Sequence, residues 1–332
     1  MRICARKLPK WDCKPMIDKY IAYIRDVRRY SPRTQALYAD ALQKFAEWCG
    51  GEADLIPSRI REYEAHLIDS GLKARTVHLH MSALSGYCNF LIKEGVLKSN
   101  PARTVKRPKM EKRLPEYYTE KSLEQYLDAT RADAGQDTLD LLLQLGPADK
   151  TAVELYRRRL RRLIISLLYG TGIRRAELIG LEVGSMDIAR HTLRVHGKGD
   201  KMREIPLILS LSQEISLYLQ AASSMVGGPR PSNAPLLVTE KGRSLYPEYI
   251  DRAVKAELQG QEGITGRKSP HVLRHSLATA LLDEGADLNA IKEMLGHQSL
   301  AATEVYTHNS IERLKAQYIN AHPRAKKQDS HD

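Results

Sequence analysis

The chain has 332 residues, of which 42% are hydrophobic and 28% charged, and this length predicts two domains with the composition of an ordinary soluble protein. Its longest clean apolar run, residues 163–168, is far too short to span a bilayer, and no apolar region follows the basic N-terminus, so we expect neither a membrane segment nor a signal peptide. Of the formal net charge of +12, residues 1–108 carry +9, which favours a polyanionic partner, although a solvated basic surface has the same charge.

Helical periodicity predicts four helices in the first hundred residues. Apolar positions repeat over residues 14–30, and Ser31 with Pro32 starts a second helix that ends at Gly50. A third helix runs from about residue 58 to 69 and a fourth from about residue 74 to 95, so this region has the pattern of a small helical bundle. The core side of the second helix is predicted to be Leu37, Tyr38, Leu42, Phe45 and Trp48.

Several polar residues at or near the starts of these helices are candidate DNA contacts. Phosphate favours helix starts because free backbone N–H groups and the helix dipole add to the side-chain charge. The candidates in the helical region are Arg33, Thr34, Lys73, Arg75 and Thr76. Each of them is also a typical solvated surface residue, and the sequence leaves that alternative open.

A basic, proline-punctuated segment without apolar periodicity covers residues 100–115 and predicts an extended interdomain linker. Lys106 and Arg107 within it are further candidate DNA contacts, since such a linker can follow a duplex backbone. The predicted order is an N-terminal extension, a basic helical domain, the linker, a second domain and a flexible tail, which are residues 1–13, 14–99, 100–115, 116–322 and 323–332.

The second domain is predicted to be mostly helical. Two segments within residues 130–160 could each form a helix, split by Gly146 and a proline. The arginine-rich run 157–162 resembles a nucleic-acid patch, but the polar face of a helix with a buried apolar side is the favoured interpretation. Residues 223–235, rich in Ser, Gly and Pro, predict a surface loop. Further helices are predicted after Thr119, Tyr246 and Pro270.

A β-hairpin is predicted between residues 181 and 206, where the apolar period shifts toward two. Leu193 and Val195 precede a Gly-Lys-Gly turn, and Met202 and Ile205 follow it. Lys198 lies at the tip of this turn.

Two other turns place basic residues at helix starts. Arg174 follows Gly172 into a helix, where the dipole disfavours a positive charge, so an anionic ligand or an ion pair with a nearby carboxylate would explain it. His271 and Arg274 lie three residues apart at the start of another helix and are predicted to share one face.

A tyrosine and a histidine follow each other closely near residue 300. Asp287 caps a helix that Gly296 ends, and His297 then lies on a turn. Ser299 can cap a short helix that carries Tyr306. A tyrosine near a histidine is, by itself, most often a packing residue.

Together these residues fit one reaction on a phosphodiester. Two arginines can fork onto the non-bridging oxygens and neutralise the charge that grows in the transition state. A tyrosine oxygen can attack phosphorus, a lysine can protonate the departing 5′ oxygen, and histidines can move the tyrosine proton or hold a phosphate oxygen. We expect no cofactor and no metal, because the arginines supply the charge and neither the acids near the histidines nor the four cysteines have zinc-ligand spacing.

Five motifs in chain order resemble the tyrosine recombinase (phage integrase) family: Thr171-Gly172-Ile173-Arg174-x-x-Glu177-Leu178, Gly197-Lys198-Gly199, His271-x-x-Arg274-His275, Leu295-Gly296-His297 and Tyr306-Thr307-His308. The spacings of 24 residues from Arg174 to Lys198, 23 from Arg274 to His297 and 9 from His297 to Tyr306 are similar to those of Xer-type members. Two departures are Ala176, where a hydroxyl residue is frequent, and residues 130–157, which are longer than in typical Xer proteins.

The resemblance implies a mainly α fold with a small β-sheet, in which an N-terminal four-helix core-binding (SAM-like) domain and a C-terminal catalytic domain close as a clamp around DNA. The activating residues that it implies are Arg174, Lys198, His271, Arg274 and His297, with Tyr306 as the nucleophile and Glu177 as a support for Arg174.

The resemblance further implies a homo- or hetero-tetramer on two double-stranded DNA recombination sites, with strand exchange through a 3′-phosphotyrosine and a Holliday junction. Residues 309–320 would dock on a neighbouring protomer, unless their apolar stripe packs within its own chain. The implied location is the bacterial cytoplasm, at the nucleoid. Chromosome dimer resolution, integration or excision of a mobile element, and DNA inversion all use the same residues. A non-catalytic DNA-binding accessory protein and a type IB topoisomerase-like enzyme are the alternatives.

Overall fold

The computed structural model describes residues 13–50, 55–109, 116–197, 201–296 and 318 of the chain. These residues divide between two compact units, one within residues 1–113 and one within residues 114–332. Both units are built mainly of helices, and the second also has a three-stranded sheet, so the predicted fold class is confirmed. Within the described ranges, no helix combines the length and the apolar character needed to cross a membrane.

The described residues of the first unit form four α-helices, as predicted: α1 (Cys13–Asp26), α2 (Pro32–Trp48), α3 (Pro57–Asp69) and α4 (Ala74–Lys93). Ser31 caps α2, because its hydroxyl accepts a hydrogen bond from the backbone N–H of Thr34 at 3.2 Å, and Pro32 occupies the first turn. The core of this unit includes Leu42, Phe45, Ile60 and Leu84, all of which are almost completely buried.

The prediction that α2 buries Leu37 is wrong. Leu37 is 41% exposed, whereas α2 buries Ala41 and Leu42 one turn later. Tyr38 is half-buried and packs edge-on against Tyr30, with ring centroids 6.1 Å apart.

Part of the predicted interdomain linker belongs to the first unit. Residues Pro101–Arg103 form a 3₁₀ turn, and Val105 is buried in the same core as the four helices. Farther along, Nε2 of His78 in α4 lies 2.8 Å from the carbonyl oxygen of Pro108. The expectation of an extended linker is therefore wrong for residues 101–105, because the helical core offers them apolar partners.

The second unit is organised around one long helix, α8. Its helices are α5 (Glu120–Ala129), α6 (Arg131–Ala134), α7 (Gln136–Leu145), α8 (Lys150–Thr171), α9 (Arg175–Ile179), α10 (Leu209–Val226), α11 (Pro247–Leu258), α12 (Pro270–Asp283) and α13 (Leu288–Leu295). Residues 162–171 of α8 are all buried, and α7, α10, α11 and α12 pack around it.

The sheet of the second unit is antiparallel, with strands β1 (Met186–Asp187), β2 (Thr192–His196) and β3 (Met202–Pro206) in that order. The β2–β3 pair is the predicted hairpin, and its register places Val195 opposite Arg203. The tip residues 198–200 lie outside the described part of the chain.

The arginine run in α8 has two different environments. Arg157, Arg158 and Arg161 form ion pairs with carboxylates, as expected for the polar face of a helix. Arg159 and Arg162 are 0% and 3% exposed, so the polar-face interpretation is wrong for them.

These two buried arginines attach the segment before α8 to the core. Arg159 donates to the carbonyl oxygens of Ala134 and Gly135 at 3.0 and 2.6 Å. Arg162 donates to the carbonyl oxygen of Leu127 at 2.9 Å, which lies near the end of α5. The carbonyls at helix ends lack intrahelical partners and so accept these bonds readily. The segment that precedes α8 is thus fixed in place by charge-assisted hydrogen bonds.

The loop predicted over residues 223–235 is partly helical. Helix α10 continues to Val226 and ends at Gly227, which has a φ of +82°. Ala221, Ala222 and Met225 are buried on this last part of the helix, and their packing outweighs the loop-like composition.

Candidate active site

Arg174 lies at the N-cap of α9, directly after α8 ends at the left-handed Gly172. Its backbone N–H donates to Oε2 of Glu177 at 2.8 Å, and its Nη1 donates to Oε1 of the same carboxylate at 2.8 Å. Its Nη2 donates to the carbonyl oxygen of Gly296 at 2.8 Å. The ion pair that the sequence left open for Arg174 is therefore present, and it leaves the arginine side chain about one-third exposed.

Arg274 projects from α12 into a space between the ends of two other helices. It is 6% exposed and donates to the carbonyl oxygens of Gly172 and Leu295, both at 2.6 Å. These carbonyls belong to the C-terminal ends of α8 and α13, where the helix dipole is negative and stabilises a cation. Burial and then the nearby charge of Arg174 lower the pKa of Arg274 to about 10, so the side chain stays charged at neutral pH.

Glu177 is buried and is shared by two arginines. In addition to Arg174, Arg203 of β3 donates to both of its oxygens, with Nη1 at 3.1 Å from Oε1 and Nη2 at 2.8 Å from Oε2. Burial alone would raise the pKa of Glu177, but the hydrogen bonds from Arg203 and Arg174 outweigh it, and the pKa lies below its usual value. The carboxylate is therefore ionised throughout the physiological range.

Arg203 is the member of this cluster that the sequence interpretation missed. Met202, one of the apolar residues after the turn, is 50% exposed, whereas Arg203 is 7% exposed. The signal was available: side chains alternate along a strand, so the buried Ile205 places Arg203, two residues earlier, on the same face. An arginine in an inward-facing strand position needs charged or carbonyl partners, and here it has them.

Three consecutive carbonyls at the end of α13 each accept a hydrogen bond from a different arginine. Met294 accepts from Nε of Arg203 at 2.9 Å, while Leu295 and Gly296 accept from Arg274 and Arg174. The helix begins and ends as predicted: its N-cap Asp287 accepts from two backbone N–H groups, and its C-cap glycine has a φ of +67°.

The cluster of three guanidinium groups and one carboxylate has a net charge of +2, which attracts an anion such as a phosphate. The cluster contacts the turn at the end of α13, and the next residue in the sequence after this turn is His297. His297 itself is outside the described residues, as are Lys198 and Tyr306, so their predicted places remain predictions. Gly197, just before Lys198, closes the base of the hairpin by donating to the carbonyl oxygen of Lys201 at 2.7 Å.

His271 lies in the first turn of α12 and is exposed, whereas Arg274 on the next turn is buried. Partial desolvation and then the positive charges of Arg175 and Arg274 hold the pKa of His271 below its usual value. The neutral imidazole is therefore the main form at neutral pH, which is the form that can accept a proton. Among the residues that the structure describes, no group of three or more His, Cys, Asp or Glu side chains is arranged to hold a metal ion.

The predicted DNA contacts all lie in the first unit. All five basic candidates are exposed, namely Arg33, Lys73, Arg75, Lys106 and Arg107. The two threonine candidates, Thr34 and Thr76, are half-buried. Nη1 of Arg107 donates to the hydroxyl of Ser82 at 3.0 Å, which fixes the side chain against α4.

Tyr318 is the one residue of segment 309–320 that the structure describes. It is 3% exposed in the core of the second unit, and its hydroxyl donates to the carbonyl oxygen of Gly170 in α8. At this residue the chain packs against itself, which is the alternative that the sequence left open.

The sequence of the chain matches known protein families and relatives. The chain matches the phage integrase family over residues 148–313 and the phage integrase N-terminal SAM-like domain over residues 17–95. It is 34% identical over 322 residues to the tyrosine recombinase XerC of Shewanella sp. (strain ANA-3), covering 95% of this chain and 98% of that protein.

Two solved structures share its fold. One is the XerH site-specific recombinase bound to a palindromic difH substrate, with a TM-score of 0.63, 20% identity, and coverage of 95% of this chain and 84% of that chain. The other is a lambda integrase tetramer bound to a Holliday junction, with a TM-score of 0.59, 18% identity, and coverage of 93% and 78%.

Proposed function

From the premise that this chain belongs to the phage integrase family of tyrosine recombinases, we infer that it cuts and rejoins DNA strands at specific sites through a covalent bond to Tyr306. The observation that carries this inference is the convergence of Arg174 and Arg274 on consecutive carbonyls of one turn. That turn leads directly to His297, nine residues before Tyr306.

Arg174 and Arg274 bind the two non-bridging oxygens of the scissile phosphodiester. Their guanidinium groups carry five N–H donors each, so those that hold the backbone carbonyls leave others for phosphate. The carbonyls and Glu177 hold the arginines in place before substrate arrives, so little reorganisation is needed when negative charge grows on phosphorus. The cluster's charge of +2 exceeds that of one phosphodiester and offsets the added charge of the pentacoordinate state.

The covalent step is a transfer between two oxygens at one phosphorus. The phenol oxygen of Tyr306 forms a bond to phosphorus while the bond to the 5′ oxygen of the next nucleotide breaks, which gives a 3′-phosphotyrosine and a free 5′-hydroxyl. Neutral His271 or His297 accepts the phenol proton, and Lys198 donates a proton to the departing 5′ oxygen. Attack by a 5′-hydroxyl of another strand reverses these transfers and joins the strands.

DNA engagement involves both units. The basic residues at the helix starts of the first unit, Arg33, Lys73 and Arg75 among them, bind the phosphates of a double-stranded site. Four protomers assemble on two sites and exchange strands through a Holliday junction, as the solved lambda integrase tetramer on such a junction suggests. In this assembly residues 309–320 dock on a neighbouring protomer, which requires Tyr318 to leave its place on α8.

The XerC relatives favour an Xer-like duty on bacterial chromosomal DNA, with the protein in the cytoplasm at the nucleoid. Integration or excision of a mobile element and inversion of a DNA segment would use the same residues. Footprinting of the bound sequence, followed by mapping of its copies in the source genome, distinguishes these duties.

The Tyr306→Phe variant tests the chemistry directly. On a nicked suicide substrate the wild-type protein accumulates a covalent adduct, whereas Tyr306→Phe should form none and should still bind the site, because the ring is retained. The matched control is Tyr117→Phe, at a tyrosine of the same unit that is 55% exposed, and it should form the adduct at the wild-type rate. Adducts that persist in Tyr306→Phe would exclude this tyrosine as the nucleophile.

A further inference from the structure

We propose that Arg203 is a positioning residue of the recombination reaction, which holds Glu177 and the Met294–Gly296 turn so that the two phosphate-binding arginines face the substrate correctly. The inference rests on the proposed function, since it assigns a role within the same site. Arg203 acts through its neighbours and makes no contact with the DNA itself.

The first support is the burial of the Arg203 charge. Its side chain is 7% exposed on the core face of the sheet, and removal of a guanidinium from water costs several kcal/mol unless its donors are satisfied. In the described part of the chain, its hydrogen-bond partners are the Glu177 carboxylate and the carbonyl oxygen of Met294. Both partners belong to the candidate active site, so the cost of burying this charge is offset at the site.

The second support is the sharing of one carboxylate by two arginines. Oε1 of Glu177 lies 2.8 Å from Nη1 of Arg174 and 3.1 Å from Nη1 of Arg203. Oε2 lies 2.8 Å from the backbone nitrogen of Arg174 and 2.8 Å from Nη2 of Arg203. The planar guanidinium of Arg203 donates to both oxygens of Glu177 and so fixes the orientation of the carboxylate. The carboxylate in turn fixes the direction of the Arg174 side chain.

The third support is the space that the Arg203 guanidinium fills. A Cβ added to Gly296 would lie 3.2 Å from its Nη1, and a Cβ added to Gly197 would lie 3.5 Å from the same atom. The guanidinium thus fills the space beside the base of the hairpin turn, which leads to Lys198, and beside the α13 turn, which leads to His297. One side chain connects the two segments that carry the proposed acid and a proposed histidine to the arginine pair.

Two variants separate positioning from mere stability. Arg203→Met keeps the length and apolar stem of the side chain but removes the charge, while Arg203→Lys keeps the charge but cannot donate a planar fork to both oxygens and a carbonyl. The control is Arg194→Met, at an exposed arginine on the adjacent strand β2 that donates to the carbonyl oxygen of Gly184. For each protein we would measure the thermal unfolding midpoint, site affinity by gel shift, and the single-turnover rate of adduct formation.

We expect Arg203→Lys to fold and to bind the site with wild-type affinity, and to form the adduct about 100-fold more slowly, the effect of a small misplacement at a reacting centre. Arg203→Met should be at least as slow in the fraction that remains folded. Arg194→Met should match the wild type in all three measurements. A wild-type rate in Arg203→Lys, or a loss in Arg203→Met that matches its loss of folded protein, would overturn the proposal.

A double-mutant cycle with Glu177→Gln tests the route of the effect. If Arg203 acts through Glu177, the double variant should be no slower than the slower single variant, whereas independent roles would make the two rate losses multiply. Multiplied losses would also overturn the proposal. If the wild-type protein forms no adduct at Tyr306, the proposed function fails as a whole, while a normal adduct in both wild type and Arg203 variants removes only the positioning role.

Discussion

Changing Gly296 to alanine adds one methyl group, which affects both the stability of the α13 turn and the geometry of the arginine cluster. Its φ of +67° lies in the left-handed region, and the ideal Cβ of an alanine there would meet the Arg203 guanidinium at 3.2 to 3.5 Å. The Gly296→Ala variant therefore has two effects, a backbone penalty and a push on Arg203. We expect it to lose stability and also to slow adduct formation.

The chain provides a control that has only the first effect. Gly285 follows α12 with a φ of +82°, and a Cβ there would meet nothing within 4 Å among the residues that the structure describes. A left-handed alanine costs about 1–2 kcal/mol relative to glycine. In a unit of this size each kcal/mol lowers the unfolding midpoint by about 2–4 °C, so both variants should lose between ~2 and ~8 °C.

The two variants should differ in chemistry. In Gly296→Ala the guanidinium of Arg203 must move by a few tenths of an ångström, and Met294 and Glu177 are its partners, so the cluster shifts with it. We expect its single-turnover adduct rate to fall by about tenfold or more, because reacting groups tolerate little misplacement, while Gly285→Ala keeps the wild-type rate. Scanning calorimetry and a suicide-substrate time course measure the two effects separately. Equal rates in the two variants would refute the close-contact reasoning, whichever variant is the less stable.

Three other outcomes follow from the structure. Arg159→Met removes the donor of two half-buried carbonyls and should destabilise the protein by roughly 2–4 kcal/mol in denaturant titrations. Arg158→Met, at a half-exposed ion pair, should cost less than about 1 kcal/mol, and equal costs would contradict the anchoring role. Because the folded pKa of Glu177 lies below its ordinary value of 4.5, its stabilisation is complete above that pH and is lost as the pH falls through the folded pKa. The stability difference between wild type and Glu177→Gln should therefore shrink in acid, and a difference independent of pH would argue against the ion pairs. Lys198→Ala should slow cleavage of an ordinary site but cleave a substrate with a 5′-thiol leaving group at close to the wild-type rate, and an absence of rescue would rule out the acid role.

Local sequence was sufficient for the helix ends and for most of the site motifs. Ser31 and Asp287 cap their helices and Gly296 ends one, because these interactions span only two to four residues of the chain. The motifs around Arg174 and Arg274 were also recognisable, since their residue types and spacings reflect a shared chemistry. The family, the fold class and two arginines of the cluster therefore followed from the sequence alone.

The directions in which buried charges point were decided by tertiary contacts. Arg159 was expected to face solvent with its neighbours, yet it turns inward to carbonyls 24 and 25 residues earlier in the chain. The alternation of side chains along β3 predicts that Arg203 is buried, but its hydrogen-bond partner Met294 is 91 residues away in the chain. Arg174 meets the carbonyl of Gly296 across 122 residues. A guanidinium is stable in a core only where such acceptors surround it, and no local pattern encodes acceptors that the fold brings together from distant parts of the chain.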